Sequence, residues 1–429
     1  MKTIKFPEKD SWEKLCKRPE ISRNDLEDVV KGIINSVKSE SDKAVNYYSG
    51  KFDGALPGVL KVTSDEILES AGQIPQKLKN AINIARKNIE KFHSAQLNTE
   101  PVIETSKGVR CWRKSVAIEK VGLYIPGGSA PLFSTLLMLG IPAKIAGCEE
   151  IIVCTPPGKD GRVSPLILYT AQLIGISQIF KAGGAQAIAA MAYGTESIPK
   201  VCKIFGPGNQ FVTKAKELVQ QDGIAIDMPA GPSEVLIIAD RNSNPEFIAA
   251  DLLSQSEHGP DSQVIMLTDN EELTEKVRYE VERQVMLLSR KEIALKSLEN
   301  SKLIILSTLN DCMDFSNNYA PEHLIINTTD ADSVAKNVRN AGSVFLGNFS
   351  CESAGDYASG TNHTLPTNGF AKNYSGVSVD SFLKKITFQE ISAEGIKNLG
   401  PTIELMAEAE SLTGHKNAVS IRLKKLQND

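Results

Sequence analysis

Apolar and polar residues along this chain repeat in two patterns, one typical of buried strands and one typical of amphipathic helices. Short continuous apolar runs such as EEIIVCT, QVIMLTD and KLIILST are bounded by turns that contain glycine, proline or small polar residues. Such runs predict strands buried on both faces, whereas apolar residues three and four positions apart in the intervening segments predict helices. Because strands and helices alternate with short connections, the pattern predicts an α/β fold with parallel sheets.

The alternation occurs in two successive sections, so the chain should contain two parallel-sheet units. The first section begins at about residue 109, and the second runs from about 262 to 346, with helices predicted at 271–288 and 330–340. Residues 1–60 predict charged amphipathic helices instead of strands.

Several parts of the chain lie outside these two alternating sections. His93 lies among charged residues in a predicted helix before the first section, where we expect it to be solvated. Residues 347–376 predict a long glycine-rich loop, and so long an irregular segment inside a compact enzyme is usually functional. The stretch ITFQEIS then predicts one late strand, and TIELMAEAESLTGH predicts the final helix.

Composition narrows the class of protein and its surroundings. The 429 residues, 41% of them hydrophobic and 23% charged, are ordinary for a globular protein of two or more domains. A net charge of −4 gives no reason to expect a nucleic-acid partner. The sequence shows neither a secretory signal nor an apolar run long enough to cross a membrane. Seven scattered cysteines without a CxxC pair indicate free thiols rather than a disulfide framework or a thiolate zinc site, so we expect a cytoplasmic protein.

Three glycine-rich turns follow predicted strands and open predicted helices. They are IPGGSAP (125–131), KAGGAQA (181–187) and FGPGNQF (205–211). Backbone N–H groups at helix starts favour phosphate, although neither standard nucleotide-binding fingerprint is present. Each turn could simply be a tight connection, but three at the same end of one sheet favour a ligand crevice, and a dinucleotide is a reasonable occupant.

Gln255 and His258 lie at the end of the predicted helix NPEFIAADLLSQSEH. Residues three apart leave the same face of a helix, so this pair could ligate a metal or a polar substrate. The alternative is that His258 only caps the helix or interacts with its dipole.

Glu322 and His323 are neighbours in the sequence APEHL, between a predicted helix and a predicted strand. A histidine, or a carboxylate in a tuned environment, can transfer protons near neutral pH, and Pro321 would restrict the turn that presents both groups. A solvated surface pair is the alternative.

Four more candidate ligands occur towards the carboxyl terminus. Asp356 and His363 lie in SAGDYASGTNHTLPT, and Glu410 and His415 lie on or just after the last predicted helix. Singly, these residues could form an Asx-turn or helix-end contacts. Together with the two pairs above, they offer the imidazole and oxygen ligands typical of a catalytic zinc site. The HExxH motif of common zinc proteases is absent.

The chain resembles the histidinol dehydrogenase family over nearly its whole length from about residue 22. The resemblance rests on long motifs in order, namely VGLYIPGG, STLLMLGIPAKIAGC, CTPP, GGAQAIAAMAYGT, IFGPGNQFVTKAK, IDMPAGPSEVLIIAD, DLLSQSEHG, APEHL, ESAGDYASGTNHTLPT and AESLTGH. It implies a zinc- and NAD-dependent oxidation of L-histidinol to L-histidine through an aldehyde held on the enzyme. It also implies one zinc ion per subunit and an intertwined homodimer with active sites shared between subunits.

The resemblance further implies two Rossmann-like parallel-sheet domains with short terminal extensions. The expected division is an N-terminal extension at 1–21, a discontinuous first α/β domain at 22–123 plus 234–377, a second α/β domain on the NAD side at 124–233, and a C-terminal extension at 378–429.

Individual roles are also carried over by motif. The resemblance implies zinc ligands at Gln255, His258, Asp356 and His415, and an acid–base pair at Glu322 and His323. It implies that Ser233, His363 and Glu410 bind the substrate together with His323 and the zinc ligands, and that Tyr124, Gln186 and Asn209 contact NAD. One departure is Gly414, where an alanine often precedes the histidine; we expect it to loosen the helix end there. A zinc hydrolase and a non-catalytic metal- or nucleotide-binding protein are the alternative functions.

Overall fold

The structure, a computed structural model, describes residues 1–19, 23–55, 58–127, 131–229 and 231–428. The strands are β1 (Lys2–Lys5), β2 (Ile103–Ser106), β3 (Val109–Ala117), β4 (Lys120–Tyr124), β5 (Glu150–Thr155), β6 (Gln178–Lys181), β7 (Lys203–Phe205), β8 (Ala225–Ile226), β9 (Glu234–Ala239), β10 (Gln263–Thr268), β11 (Lys302–Ile305), β12 (His323–Asn327), β13 (Ser343–Leu346) and β14 (Leu383–Ile391). The helices are α1 (Trp12–Leu15), α2 (Arg23–Glu40), α3 (Asp42–Phe52), α4 (Ser64–Ser70), α5 (Gln76–Ser94), α6 (Phe133–Ala146), α7 (Pro165–Leu173), α8 (Gly184–Tyr193), α9 (Gln210–Gln221), α10 (Pro245–Ser256), α11 (Glu271–Val285), α12 (Lys291–Glu299), α13 (Leu309–Tyr319), α14 (Ala331–Ala335), α15 (Glu352–Tyr357), α16 (Ala393–Ala409) and α17 (Thr413–Asn428).

Two parallel sheets form the centre of the molecule, which confirms the predicted α/β class. The five-stranded sheet has the order β6-β5-β4-β7-β8, and the six-stranded sheet has the order β1-β11-β10-β9-β12-β13. Numbered along the chain, β4–β8 and β9–β13 both follow the order 3-2-1-4-5, which is that of a Rossmann-like unit. The central strands are buried on both faces, as their continuous apolar runs require.

The first strand is a correction to the prediction that residues 1–60 are helical. β1 adds to the edge of the six-stranded sheet and pairs in parallel with β11. Four residues are too few for a period to be read from the sequence, and the pairing partner lies some 300 positions away. The strand therefore depends on a tertiary hydrogen-bond ladder rather than on local pattern.

A third, antiparallel sheet was not predicted. β3 pairs with β14 over nine residues of each strand, and β2 lies on the other side of β3. α16 packs against β14, and α17 packs back against α16. The local pattern gave ITFQEIS as a strand but could not reveal that its partner lies about 270 residues earlier.

The helices before β2 pack against the five-stranded sheet rather than against the six-stranded one. Val30, Ile33 and Val37 of α2 share one apolar core with Ile188 and Met191 of α8. The division of the chain into domains stays a prediction, and this packing favours grouping 23–94 with 124–233.

His93 of α5 is also buried, which corrects the expectation that it is solvated. Its Nδ1 lies 2.9 Å from the carbonyl oxygen of Ile89, and its Nε2 lies 3.3 Å from the side-chain amide of Asn362. It therefore joins α5 to the segment that follows α15.

Three element boundaries differ from the predicted ones. The helix expected at 330–340 is only α14, and the loop expected at 347–376 contains α15. The final helix is two helices, because Ser411 at φ 59° breaks the chain between α16 and α17. Gly414 consequently lies in the first turn of α17, and not at the end of a helix that it could loosen. Within the described ranges, no helix combines the length and the apolar character that a membrane crossing requires.

Candidate active site

Glu322 and His323 lie at the amino end of β12, beside the first residue of β9. Ala320, at φ 54°, ends α13 in the left-handed conformation, and the chain enters β12 immediately after Pro321. His323 pairs with Val235 in the sheet register, which places Glu322 next to Glu234. The backbone N–H of Glu234 donates to Oε2 of Glu322 at 2.8 Å. Both side chains of the pair are buried, so the surface-pair alternative is wrong.

The main chain of Glu234 also fixes the ring of His323. Nδ1 of His323 lies 3.0 Å from the carbonyl oxygen of Glu234, to which Nε2 of Gln255 also donates at 3.3 Å. Nε2 of Gln255 also lies 2.9 Å from Nδ1 itself. A carbonyl only accepts and an amide NH₂ only donates, so the tautomer of the ring decides which of these two contacts Nδ1 makes. Nε2 of His323 lies on the other side of the ring, without a hydrogen-bond partner and 3.5 Å from Oδ1 of Asp356, so it is the ring nitrogen that faces the site.

Two carboxylates on α15 lie close to that nitrogen. Oδ1 of Asp356 is 3.5 Å from Nε2 of His323, and one oxygen of Glu352 lies within 4.8 Å of ligand atoms of both. Glu352 was missed by sequence reasoning, although it precedes Asp356 by four residues in a quoted motif. That spacing puts both side chains on one helix face, and it was the available signal.

Burial and neighbouring charges shift the pKa values of the side chains in this cluster. Burial raises the pKa of Glu322 and of Glu352, because it disfavours the charged carboxylate. Burial opposes protonation of His323, but the carboxylates of Glu322 and Glu352 outweigh it and raise the pKa of His323 above its ordinary value. Burial alone would raise the pKa of Asp356, but the nearby imidazoles of His323, His363 and His258 outweigh burial and lower it. Perturbed acids and bases of this kind suit general acid–base chemistry.

His258, Ser233 and His363 surround the same cluster. Nδ1 of His258 lies 3.3 Å from Oγ of Ser233, which precedes β9. Nδ1 of His363 donates to the backbone carbonyl of Asp356 at 2.9 Å, and its Nε2 lies 3.1 Å from Oγ1 of Thr135 in α6. Because α6 belongs to the five-stranded unit, His363 joins that unit to the cluster.

The donor atoms present in this cluster fit a zinc ion. Oε1 of Gln255, Oδ1 of Asp356 and Nε2 of His323 are buried without a hydrogen-bond partner. Unsatisfied buried polar atoms are costly, and a cation would satisfy the two oxygens. Oxygen and imidazole nitrogen are ligands that zinc accepts in catalytic sites.

Glu410 and His415 are not brought to this cluster by their own chain. Glu410 follows α16 and His415 lies in the first turn of α17, and both are exposed. Among the residues that the structure describes, neither has a hydrogen bond or ion pair to the cluster. The two helices instead carry exposed apolar side chains, including Leu405, Met406 and Ile421.

The three glycine-rich turns lie at the carboxyl ends of β4, β6 and β7, as predicted, at one edge of the five-stranded sheet. The hydroxyl of buried Tyr124 accepts from the N–H of Gly184 at 3.1 Å, and Asn209 caps α9 by accepting from Phe211 and Val212. Both amide atoms of fully buried Gln186 lack a partner. This edge therefore keeps free polar groups for a ligand, which fits a dinucleotide; residues 128–130 of the first turn lie outside the described residues.

Asp251 gives a prediction about stability near this site. It lies one helical turn before Gln255 on α10, and burial raises the pKa of its carboxyl to about 7. Because that value exceeds the unfolded one of about 3.9, stability is lost as pH rises between the two. Asp251→Asn should therefore raise the free energy of unfolding by roughly 1–3 kcal/mol more at pH 8 than at pH 5. Urea unfolding at both pH values checks this, with exposed Asp28→Asn as control, and an equal effect at both would contradict it.

Two Rossmann-like sheets, a buried acid–base pair and a cluster of unpaired metal-type ligands define an α/β enzyme. The chain matches the family model "Histidinol dehydrogenase" over residues 16–423. It is 60% identical over 427 residues to a histidinol dehydrogenase of Bacteroides thetaiotaomicron, covering 100% of both chains, and 52% identical over 416 residues to one of Escherichia coli, covering 96% and 95%.

A solved structure agrees with the family match. The crystal structure of histidinol dehydrogenase from Elizabethkingia anophelis is 56% identical in sequence, has a TM-score of 0.97, and is matched over 100% of this chain and 99% of that chain. The chain therefore belongs to the histidinol dehydrogenase family, which confirms the resemblance found in its motifs and makes it an oxidoreductase.

Proposed function

We propose that this chain oxidises L-histidinol to L-histidine with NAD and one zinc ion per subunit, as a late step of histidine biosynthesis. The observation that carries the proposal is the buried His323, whose Nε2 faces Asp356 while its Nδ1 is fixed by the main chain of Glu234. An imidazole held in place beside unsatisfied ligand atoms suits proton removal from a bound alcohol. The glycine-rich turns favour this activity over the zinc hydrolase and the non-catalytic alternatives.

The proposed zinc ligands are Gln255, His258 and Asp356 of one subunit and His415 of a second copy. The first three lie around one cluster, and two of them offer buried oxygens without partners. His415 is exposed on α17, which packs against α16, and we propose that it reaches such a cluster through a contact between two copies. When bound, zinc would hold and orient the substrate.

The two oxidations would use the acid–base pair differently. His323 would accept the hydroxyl proton of the alcohol through Nε2. The hydride of the alcohol carbon would pass to NAD. Glu322 lies beside His323, and its raised pKa favours proton exchange with a water molecule. We propose that this carboxylate takes a proton from the water that hydrates the aldehyde. His323 then removes a hydroxyl proton of the hydrate, while the hydride of the same carbon would pass to a second NAD.

The remaining residues are proposed to bind and orient. Ser233 and His363 contact the cluster through His258 and Asp356, and Glu410 would join them from the second copy together with His415. Tyr124, Gln186 and Asn209 are proposed NAD contacts at the edge of the five-stranded sheet. The proposal includes a homodimer with shared sites and a cytoplasmic location, which seven free cysteines support.

The decisive experiment counts NADH formed per histidine from L-histidinol, before and after treatment with a strong chelator. We expect about two NADH per histidine, loss of activity on chelation and recovery with zinc, because each of two oxidations at one carbon releases one hydride. One NADH with free aldehyde would show that the second oxidation fails. No NADH from zinc-loaded protein would refute the proposed function.

A further inference from the structure

The N-terminal segment reaches the active site through Arg18. This residue lies shortly after α1, and its side chain is 11% exposed. Nε and Nη2 of Arg18 donate to the two carboxylate oxygens of Glu234, both at 2.9 Å. Glu234 itself is 1% exposed, so the pair is a buried, bidentate ion pair.

The guanidinium is held on its other sides as well. Nη2 also donates to the backbone carbonyl of Tyr319 at 2.8 Å, and Nη1 donates to that of Cys16 at 3.1 Å. The guanidinium stacks on the ring of Tyr319 at 3.5 Å. Tyr319 is the last residue of α13, immediately before the turn that presents Glu322 and His323. Arg18 therefore ties together the two chain segments that meet at the acid–base pair.

Glu234 is the residue on which the proposed catalytic side chains converge. Its N–H donates to Glu322, and its carbonyl oxygen accepts from Gln255 and lies 3.0 Å from Nδ1 of His323. Its carboxylate accepts two hydrogen bonds from Arg18 and a third from the N–H of Asn368 at 2.7 Å. A shift of the Glu234 main chain would move all three functional side chains at once.

We infer that Arg18 is a positioning residue for catalysis: by pairing with Glu234, it fixes the main-chain groups that hold Glu322, His323 and Gln255. A buried ion pair is weak as a general stabilising device, because desolvation offsets its attraction. The Arg18–Glu234 ion pair instead fixes positions, and productive alignment of an acid–base pair tolerates errors of only about half an ångström. The inference rests on the proposed roles of these three side chains and assigns a function to a segment expected to be a mere extension.

The test compares Arg18→Gln and Arg18→Lys with wild type in kcat, in KM for NAD and in zinc content. We expect Arg18→Gln to lower kcat of both oxidations by about 10–100-fold, the usual cost of losing a supporting partner, with KM for NAD unchanged. Arg18→Lys should recover only part, because an ammonium cannot bind both carboxylate oxygens and a carbonyl in the same plane. The matched control is Lys5→Gln in the same N-terminal segment. It breaks the exposed ion pair of Lys5 with Glu271 of α11 and should behave as wild type.

A double-mutant cycle separates positioning from loss of folding. Glu234→Gln keeps the main chain and removes the charge, so it should lower kcat several-fold on its own. Because the pair acts as a unit, Arg18→Gln combined with Glu234→Gln should lose no more than Arg18→Gln alone. Independent, multiplicative losses would overturn the inference, and so would wild-type kcat of folded Arg18→Gln. If Arg18→Gln does not fold, wild-type kcat of Glu234→Gln overturns it. An inactive wild type would instead refute the proposed function.

Discussion

Replacing His323 with asparagine is expected to lower kcat for both oxidations by about 10²–10⁴-fold, the usual range for a general base. Asparagine keeps a hydrogen-bonding side chain near the carbonyl of Glu234 but has no nitrogen that can accept a proton. Oxidation of L-histidinol and of L-histidinal should be measured separately under saturating NAD, because His323 is proposed to act in each. Zinc content should be measured beside the rates, because Nε2 of His323 lies 3.5 Å from Oδ1 of the proposed ligand Asp356.

Glu322→Gln is the matched variant that tests whether Glu322 and His323 have separate roles in the two oxidations. Glutamine has nearly the same shape and can still accept from the N–H of Glu234, but it cannot activate water. Alcohol oxidation should therefore be spared more than aldehyde oxidation. Equal losses in both half-reactions of Glu322→Gln would contradict separate roles. Wild-type rates of His323→Asn would show that His323 takes no part in the reaction.

Much of the fold could be predicted because its central strands are buried on both faces. A strand such as β10, QVIMLT, is apolar throughout, so the sequence itself marks it as a central parallel strand. β1 and β3 have no such mark, because β1 is a four-residue edge strand and only Val109 of β3 is buried. The pairing of β1 with β11 and of β3 with β14 joins segments hundreds of residues apart, which no local period reveals.

The site was predictable to the extent that its residues are chemically unusual in sequence. Glu322, His323 and Asp356 stand out as acid–base or ligand types and do meet in space. Glu234 and Arg18 could not be found in this way, because Glu234 acts through its main chain and Arg18 acts through Glu234. A supporting contact of this kind exists only once the sheet register places β9 beside β12.

His415→Ala is expected to abolish activity and to lower zinc content, because it removes a ligand that we propose a second copy supplies. In its own chain His415 is exposed on α17, and α16 and α17 present the apolar residues Leu405, Met406 and Ile421 to solvent. Several exposed large apolar side chains on two adjacent helices favour a surface that a partner covers. The homodimer is therefore best tested through the activity itself.

Mixed dimers of His415→Ala and His323→Asn chains provide that test. If sites are shared, the heterodimer contains one site with both substitutions and one intact site with His323 from one chain and His415 from the other. Random association of equal amounts of the two inactive chains should then restore about one quarter of wild-type activity. If each chain built its own site, every site in the mixture would carry one substitution and no activity would return. Separately purified chains, co-refolded and assayed beside each parent homodimer, distinguish these outcomes, and restored activity would also establish that His415 acts across the interface.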